Sequence, residues 1–397
     1  MRLLLFLLIH ATRSIDVDFF DEDKDPVLMS TIHEEGHSHQ KPDRFLIYDV
    51  NYGEGFNLRR DVYMRVANAV RLLREQGENF VLILPPWGRL YHWTKQETKL
   101  NSQDTINQVV YLQQYAEGWT DEYVKKFHTR PCLGAHRSYR QDGDKWTGWF
   151  FSYEYVKADR FQCVSFQGDS ETLRDMIMKN FSDVESLMID RAETVLHSGY
   201  GDEFYWEARR SMRYNETLIR IASDFRIQKL NSDDSTDGTK LPEDWRNEVA
   251  RRSTTGGPYL CAHWRRRDFL SARKSEIPSI SGAAEQLNRL AKEKKLDKLY
   301  LSTDAPEEEI NELRSKLDVE VFKFDNEVGL SDGQIAIIDQ IICSRAAYFI
   351  GSHESTFSFR IQEDREILGF PVETTFNRLC PDDNPKCDQP TKWTIVY

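Results

Sequence analysis

The side chains best suited to chemistry stand where apolar runs end. In LIYDVNYGEGFNLRR, residues 46–60, an apolar run breaks into a turn that carries Glu54 between Gly53 and Gly55. Glycine frees the backbone on both sides, so the carboxylate can project from the loop. Held against a substrate hydroxyl, such a carboxylate takes a proton as general base. With nothing beside it, it is an ordinary solvated loop glutamate. The turn reads G-x-G, but Leu58 stands where a dinucleotide fingerprint needs its third glycine. In HWRRRDF, residues 263–269, three arginines directly follow an apolar run. Strand alternation sends at most two of them the same way. Arg265 is the candidate to fork onto a diphosphate, and the plainer reading of the run is a solvated surface. In FIGSHESTFSFRIQEDREI, residues 349–367, Ser355 and Thr356 open a helix. The first turn of a helix offers free N–H groups and a positive dipole end, which suits an anion; Ser355 is equally suited to be a simple N-cap. Asp339 lies inside the apolar AIIDQIIC, residues 336–343. A carboxylate there needs a partner, either a nucleotide hydroxyl or base or a structural ion pair.

These residues must be held by strands and helices. Arg44–Val50 reads as a strand, and Val62, Val66, Val70 and Leu73 follow at helical spacing before Gly77 closes the helix. Phe80–Leu84 is a second apolar strand ending at Pro85-Pro86, which completes a strand–helix–strand unit of a parallel sheet. The alternation returns later: strands at Tyr259–His263, Lys298–Ser302, Val319–Phe324 and Ala347–Ile350, and helices at Gly282–Lys294, Pro306–Leu317, Gly333–Arg345 and Ser355–Leu368. That order predicts a doubly wound α/β domain, in which ligands bind beyond the carboxyl ends of the strands. The middle, from about 100 to 230, shows aromatic clusters around Trp146–Tyr155 and amphipathic helices without a clear order. Residues 231–243, NSDDSTDGTKLPE, read as a polar connector and domain boundary. The expected organisation is therefore a signal peptide at 1–14, a flexible acidic leader at 15–43, one Rossmann-like domain at 44–243 and a second at 244–397.

The 397 residues, 40% hydrophobic and 12% aromatic, suffice for two packed domains. A net charge of −12 argues against a nucleic-acid binder, which carries a basic domain. Arg2 followed by the apolar Leu3–Ile9 is too short to span a bilayer and suits the core of a secretory signal. No later run is long and apolar enough for a membrane helix, so the mature chain is expected to be soluble. Two sequons, Asn180-Phe181-Ser182 and Asn215-Glu216-Thr217, fit a secretory route as N-glycosylation sites. Among six cysteines, Cys380 and Cys387 are expected to pair, with Cys132–Cys163 the next plausible disulfide. Cys261 and Cys343, inside apolar runs, read as buried free thiols. No metal site is expected. His33-Glu34-Glu35-Gly36-His37 has the zinc-protease spacing, but Gly36 breaks the helix that motif needs. Asp233-x-Ser235-x-Asp237-Gly238 opens like a calcium loop, but Pro242 and Asp244 replace what should follow. Asp142-Gly143-Asp144 is an ordinary acidic turn.

Taken together, YDVNYGEGFNLRRDVYMRVANAV, LPPWGRLYHW, YAEGW, HWRRRDF, AIIDQIIC with FIGSHESTFSFRI, and the closing QPTKWTIVY resemble the GDP-fucose-dependent protein O-fucosyltransferases. Within them the likeness is to the branch acting on thrombospondin type 1 repeats, and it runs from about Arg44 to Tyr397. The resemblance implies a GT-B-type α/β fold with two Rossmann-like domains facing across a cleft. It implies transfer of fucose from GDP-fucose, with inversion, to a Ser or Thr hydroxyl of a folded repeat, and residence in the endoplasmic reticulum lumen. The lack of a credible metal cluster and the arginines lead to the expectation of no cofactor beyond the donor substrate, and the charge and hydropathy to no nucleic-acid partner and no membrane span. The resemblance assigns Glu54 as general base. It assigns donor contacts to Gly53, Glu54, Gly55, Phe56 and Asn57, to His263, Trp264 and Arg265, to Asp339, and to Ser355, Thr356 and Phe357, with Glu363 and Asp364 in support. The chain departs from the family in carrying Trp264 where leucine is usual, and in a stretch after Trp93 shorter by roughly two dozen residues, a length at which loops are usually functional. Two rivals stand beside this reading: a fucosyltransferase for EGF-like repeats or glycans, and a non-catalytic binding or quality-control protein of the secretory pathway.

Overall fold

A computed structural model of the chain describes residues 43–51, 54–85, 105–113, 130–131, 139–148, 157–189, 191–197, 201–326, 329–375, 377–390 and 394–397. The expected signal peptide, nearly all of the leader, Gly53 and Cys132 lie outside these residues, and with Cys132 the expected Cys132–Cys163 pair. The chain divides into two compact units between Tyr200 and Gly201.

The first unit runs β1 (Arg44–Tyr48), α1 (Phe56–Glu75), β2 (Phe80–Ile83), β3 (Thr105–Gln113), β4 (Arg130–Pro131), β5 (Tyr139–Asp142), β6 (Lys145–Gly148), β7 (Lys157–Ser165), α2 (Ser170–Asn180), β8 (Ser186–Ile189) and α3 (Ala192–Val195). Its sheet has the order β2-β1-β8-β3-β7-β6-β5, with β4 also on β7. The five strands from β2 to β7 are parallel, and β4, β5 and β6 are joined antiparallel at one side. The valine spacing read from the sequence is the buried face of α1: Val62, Val66, Val70 and Leu73 are in the core. Each such side chain contributes about 1.5–3 kcal/mol by leaving water. Gly77, at φ +78°, ends the helix in the left-handed conformation that favours glycine. Strands β1 and β8 lie side by side, so the segments leaving their carboxyl ends, 49–51 and 191–195, are neighbours.

The second unit runs α4 (Glu203–Ser211), α5 (Glu216–Leu230), β9 (Gly257–Trp264), α6 (Phe269–Ala272), α7 (Ile280–Lys294), β10 (Lys298–Thr303), α8 (Glu307–Ser315), β11 (Glu320–Phe322), α9 (Asp332–Ser344), β12 (Ala346–Ile350), α10 (Thr356–Leu368) and α11 (Val372–Thr375). Its four strands are all parallel in the order β11-β10-β9-β12. The chain walks outward from β9 to β11, then crosses back to lay β12 on the other side of β9. The gap beyond β9 and β12 is the switch point where doubly wound sheets bind ligands. Ser331 and Gln334 close a reciprocal capping box on α9, and Ser279 caps α7. This is the α/β, GT-B-type class expected, with a Rossmann-like sheet in each unit.

Two expectations change. The 231–243 segment is not a loose connector, and the 243/244 boundary falls inside the second unit. The buried Arg226 pairs with Asp234 at 2.7 Å and Asp237 at 3.0 Å, and Arg345 reaches Asp234 at 3.1 Å. Arg226 thereby engages Asp237, a carboxylate that a calcium loop would have offered, and the two arginines anchor the segment to α5 and to the end of α9. The second change concerns Cys261 and Cys343, which form a disulfide rather than two free thiols. The apolar runs around them established burial but not separation: α9 packs on β9 and brings their Cα atoms to 5.2 Å. Cys380 and Cys387 pair as expected. Asn180 is exposed at the end of α2, and Asn215 caps α5 by accepting the Thr217 N–H.

Candidate active site

At the β9/β12 switch point the structure gathers most of the second-unit residues singled out from the sequence. His263 and Arg265 leave the end of β9, and the turn 351–355 leads from β12 into α10. Ser352 ties the two strand ends together: its hydroxyl donates to the His263 carbonyl at 2.8 Å and accepts the Arg265 N–H at 2.9 Å. Ser358, in the first turn of α10, meets His263 Nδ1 at 2.9 Å and accepts the Ser352 N–H at 3.1 Å. Gly351 permits this close approach, since a Cβ there would come within 2.7 Å of Ser358 Cβ. The His263 ring stacks on Phe357 with centroids 4.4 Å apart. Burial pushes this imidazole down to about 3, and the Arg265 charge adds to the effect, so His263 is neutral near pH 7.

Ser355 stands at the N-cap of α10 but makes no side-chain cap, so the first turn retains its capacity for an anion. Thr356 is exposed and Phe357 half-buried beside it. Arg265 is held rather than loose: Asp268 takes it bidentately at 2.9 and 3.1 Å, and Asp304 lies 3.3 Å from its Nε. Asp304 also accepts the Arg266 N–H at 2.7 Å, fixing the turn. A fixed guanidinium beside an uncapped helix start and a neutral imidazole is an arrangement suited to a diphosphate.

Asp339 faces the same sheet from α9. Tyr300 and Ser302 of β10 donate their hydroxyls to its two carboxylate oxygens, the latter at 2.7 Å. Burial pushes its carboxyl up to about 6, against those two bonds. Its partners are thus protein hydroxyls, not the ion pair that was the structural alternative. Trp264 is a correction. Alternation along β9 turns its indole away from His263 into the core with Leu260, Leu287 and Leu301, and it is 1% exposed. Its side chain is packing, not a donor contact. Arg266 likewise serves the fold, pairing with Glu309 at 2.6 Å. Glu363 and Asp364 support from behind: Arg209 of α4 bridges both, Arg360 reaches Glu363 at 2.8 Å, and Tyr205 and Tyr214 donate hydroxyls to Glu363 and Asp364 respectively. This buried network fastens α4 to α10.

In the first unit, the loop after β1 delivers Glu54, Gly55, Phe56 and Asn57 to the start of α1. The Asn51 carbonyl accepts the Glu54 N–H at 2.9 Å, and Arg59 Nε donates to the Glu54 carbonyl at 3.1 Å. The carboxylate is half-buried on a turn whose backbone is fixed from both sides. Gly55 is the N-cap of α1 and offers no side chain, so this helix start is uncapped too. Beyond Glu54, Glu193 of α3 accepts the Asn51 N–H at 3.2 Å. Sequence reasoning passed over Glu193, Asp268, Asp304, Ser352 and Ser358. Asp268 had a signal, standing three residues after Arg265; the others depend on contacts between distant segments.

Comparison with known proteins gives the family. Residues 45–368 match the family model of GDP-fucose protein O-fucosyltransferase, and the chain belongs to that family of enzymes. Its relatives include GDP-fucose protein O-fucosyltransferase 2 of Caenorhabditis elegans, 56% identical over 383 residues, covering 89% of this chain and 90% of that protein. The human GDP-fucose protein O-fucosyltransferase 2 is 41% identical over 389 residues, with 89% and 90% covered. Among solved structures, POFUT1 in complex with GDP covers 83% of this chain and 98% of its own, at 12% identity and a TM-score of 0.48.

Proposed function

We propose that this enzyme moves fucose from GDP-fucose to a Ser or Thr hydroxyl of folded thrombospondin type 1 repeats, with inversion, in the endoplasmic reticulum lumen. The observation that carries the donor half is the convergence at the β9/β12 switch point of Arg265, the uncapped start of α10 and the neutral His263. Arg265 and the α10 N–H groups hold the diphosphate and stabilise its departing charge, the work a metal does in other transferases. Asp339, Thr356 and Phe357 line the same donor site. Glu54 takes the proton from the acceptor hydroxyl as the bond to fucose forms on the face opposite GDP. Glu363 and Asp364 support α10 without touching the substrate.

Two further observations favour the secretory assignment: the paired Cys261–Cys343 and Cys380–Cys387 suit an oxidising compartment, and Asn180 of one sequon is exposed. Among the described residues no helix is long and apolar enough to cross a membrane. The acceptor is tested by incubating the enzyme with GDP-fucose and, separately, a folded thrombospondin type 1 repeat, the same repeat reduced and unfolded, and a folded EGF-like repeat, each with and without chelator. The expected outcome is a one-fucose mass increase on the folded thrombospondin repeat alone, unchanged by chelator. Modification of the EGF-like repeat instead, or activity abolished by chelator and restored by manganese, would overturn the acceptor and the metal-free mechanism respectively.

A further inference from the structure

Glu193 stands in the first unit at the carboxyl end of β8, beside the carboxyl end of β1. One of its carboxyl oxygens accepts the Asn51 N–H at 3.2 Å, and the Asn51 carbonyl in turn accepts the Glu54 N–H at 2.9 Å. The other oxygen is buried and has no hydrogen-bond partner among the described residues. Helix α3 does not need this side chain for its own place. The Ala192 N–H donates to the Asp49 carbonyl at 2.9 Å, and Arg65 of α1 donates to the carbonyls of Leu196, at 2.8 Å, and of Glu193. Burial pushes the Glu193 carboxyl above the usual range, and the Glu54 charge adds to this. Backbone N–H groups, that of Asn51 and its own, and the charge of Arg191 offset this only in part, so a half-buried carboxylate is a costly choice for such an acceptor. Such costs concentrate where a site must be held in one geometry.

We propose that Glu193 is a positioning residue of the transfer reaction: its carboxyl oxygen fixes the turn that presents Glu54, and it acts by reach rather than by charge. The inference rests on Glu54 as general base. The side chain does not touch the acceptor hydroxyl; it determines where the Glu54 backbone sits. A base displaced by about 1 Å loses on the order of 10²-fold in rate.

Two substitutions separate reach from charge. E193Q keeps the length and the acceptor oxygen but removes the charge; E193D keeps the charge but withdraws the oxygen by one methylene. Each is compared with wild type for kcat and KM toward GDP-fucose, for GDP affinity and for Tm. E193Q is expected to hold kcat within about threefold of wild type, and E193D to lose about 10–100-fold in kcat with KM for GDP-fucose, GDP affinity and Tm unchanged. In an E54Q background, E193D is expected to cost nothing more, because no base remains to be placed. Should aspartate at 193 prevent folding, E193M, which keeps the length and removes the acceptor, takes its place with the same expected loss. E193D within threefold of wild type, or E193Q as damaged as E193D, overturns the proposal. An E54Q enzyme that transfers fucose at close to the wild-type rate overturns the base assignment instead, whatever Glu193 does.

Discussion

Arg265 illustrates how much of a site depends on what holds a residue. Its guanidinium keeps one orientation because Asp268 and Asp304 engage it, leaving its remaining donors for a ligand. Hydrogen bonds to charged groups contribute about 1.5–3 kcal/mol each, so R265A is expected to weaken GDP binding about 10–100-fold by calorimetry. An R265A enzyme that binds GDP as wild type would remove the arginine from the donor site. His263 makes a pH prediction. Its folded-state value, about 3, lies below the ordinary 6.5, so the stability it contributes is present above pH 6.5 and is lost as pH falls toward 3. In that window the slope is about 1.4 kcal/mol per pH unit for one proton. Urea denaturation of H263N, whose amide can still meet Ser358, should show a shallower acid slope than wild type. An unchanged slope would contradict the buried neutral imidazole.

At the scale of elements, α10 serves two purposes. Its first turn faces the switch point, and its third is locked by Glu363 and Asp364 to Arg209 of α4. Removing one partner of a buried charge network costs about 3–5 kcal/mol, because the others stay buried without compensation. E363A is therefore expected to lose stability on that scale in urea titration, with any fall in activity following the loss of folded enzyme at the assay temperature. Full stability in E363A would refute the structural role. The elements that present the site were legible because hydrophobic period and turn residues agree locally. Alternating strands and helices from Tyr259 to Leu368 fall within a few residues of those expected, and Gly77 and Gly369 close α1 and α10. The middle was not legible. Strand β3 pairs with β7 and with β8 across long separations, and a strand order set by such contacts leaves no periodic mark. Trp264 and Glu193 failed for different reasons. The first was read as part of a motif when alternation buries it; the second lies in a four-residue helix that meets the 49–51 segment only in the folded chain.

At the scale of the molecule, the two units contribute different chemistry, each at the carboxyl ends of its own parallel strands: cations and helix N–H groups in the second, carboxylates in the first. The family match spans both, from residue 45 to 368. The acidic total of −12 says little about this division, because Arg226, Arg265, Arg266 and Arg345 each stand against carboxylates within the fold. In the proposed function, donor binding and proton removal are separate tasks, with Glu54 carrying only the second. The most direct test measures GDP affinity and fucose transfer to a folded thrombospondin type 1 repeat on the same E54Q preparation. Wild-type GDP affinity with transfer lowered on the order of 10²–10⁴-fold is expected. Transfer by E54Q at close to the wild-type rate would contradict this role of Glu54.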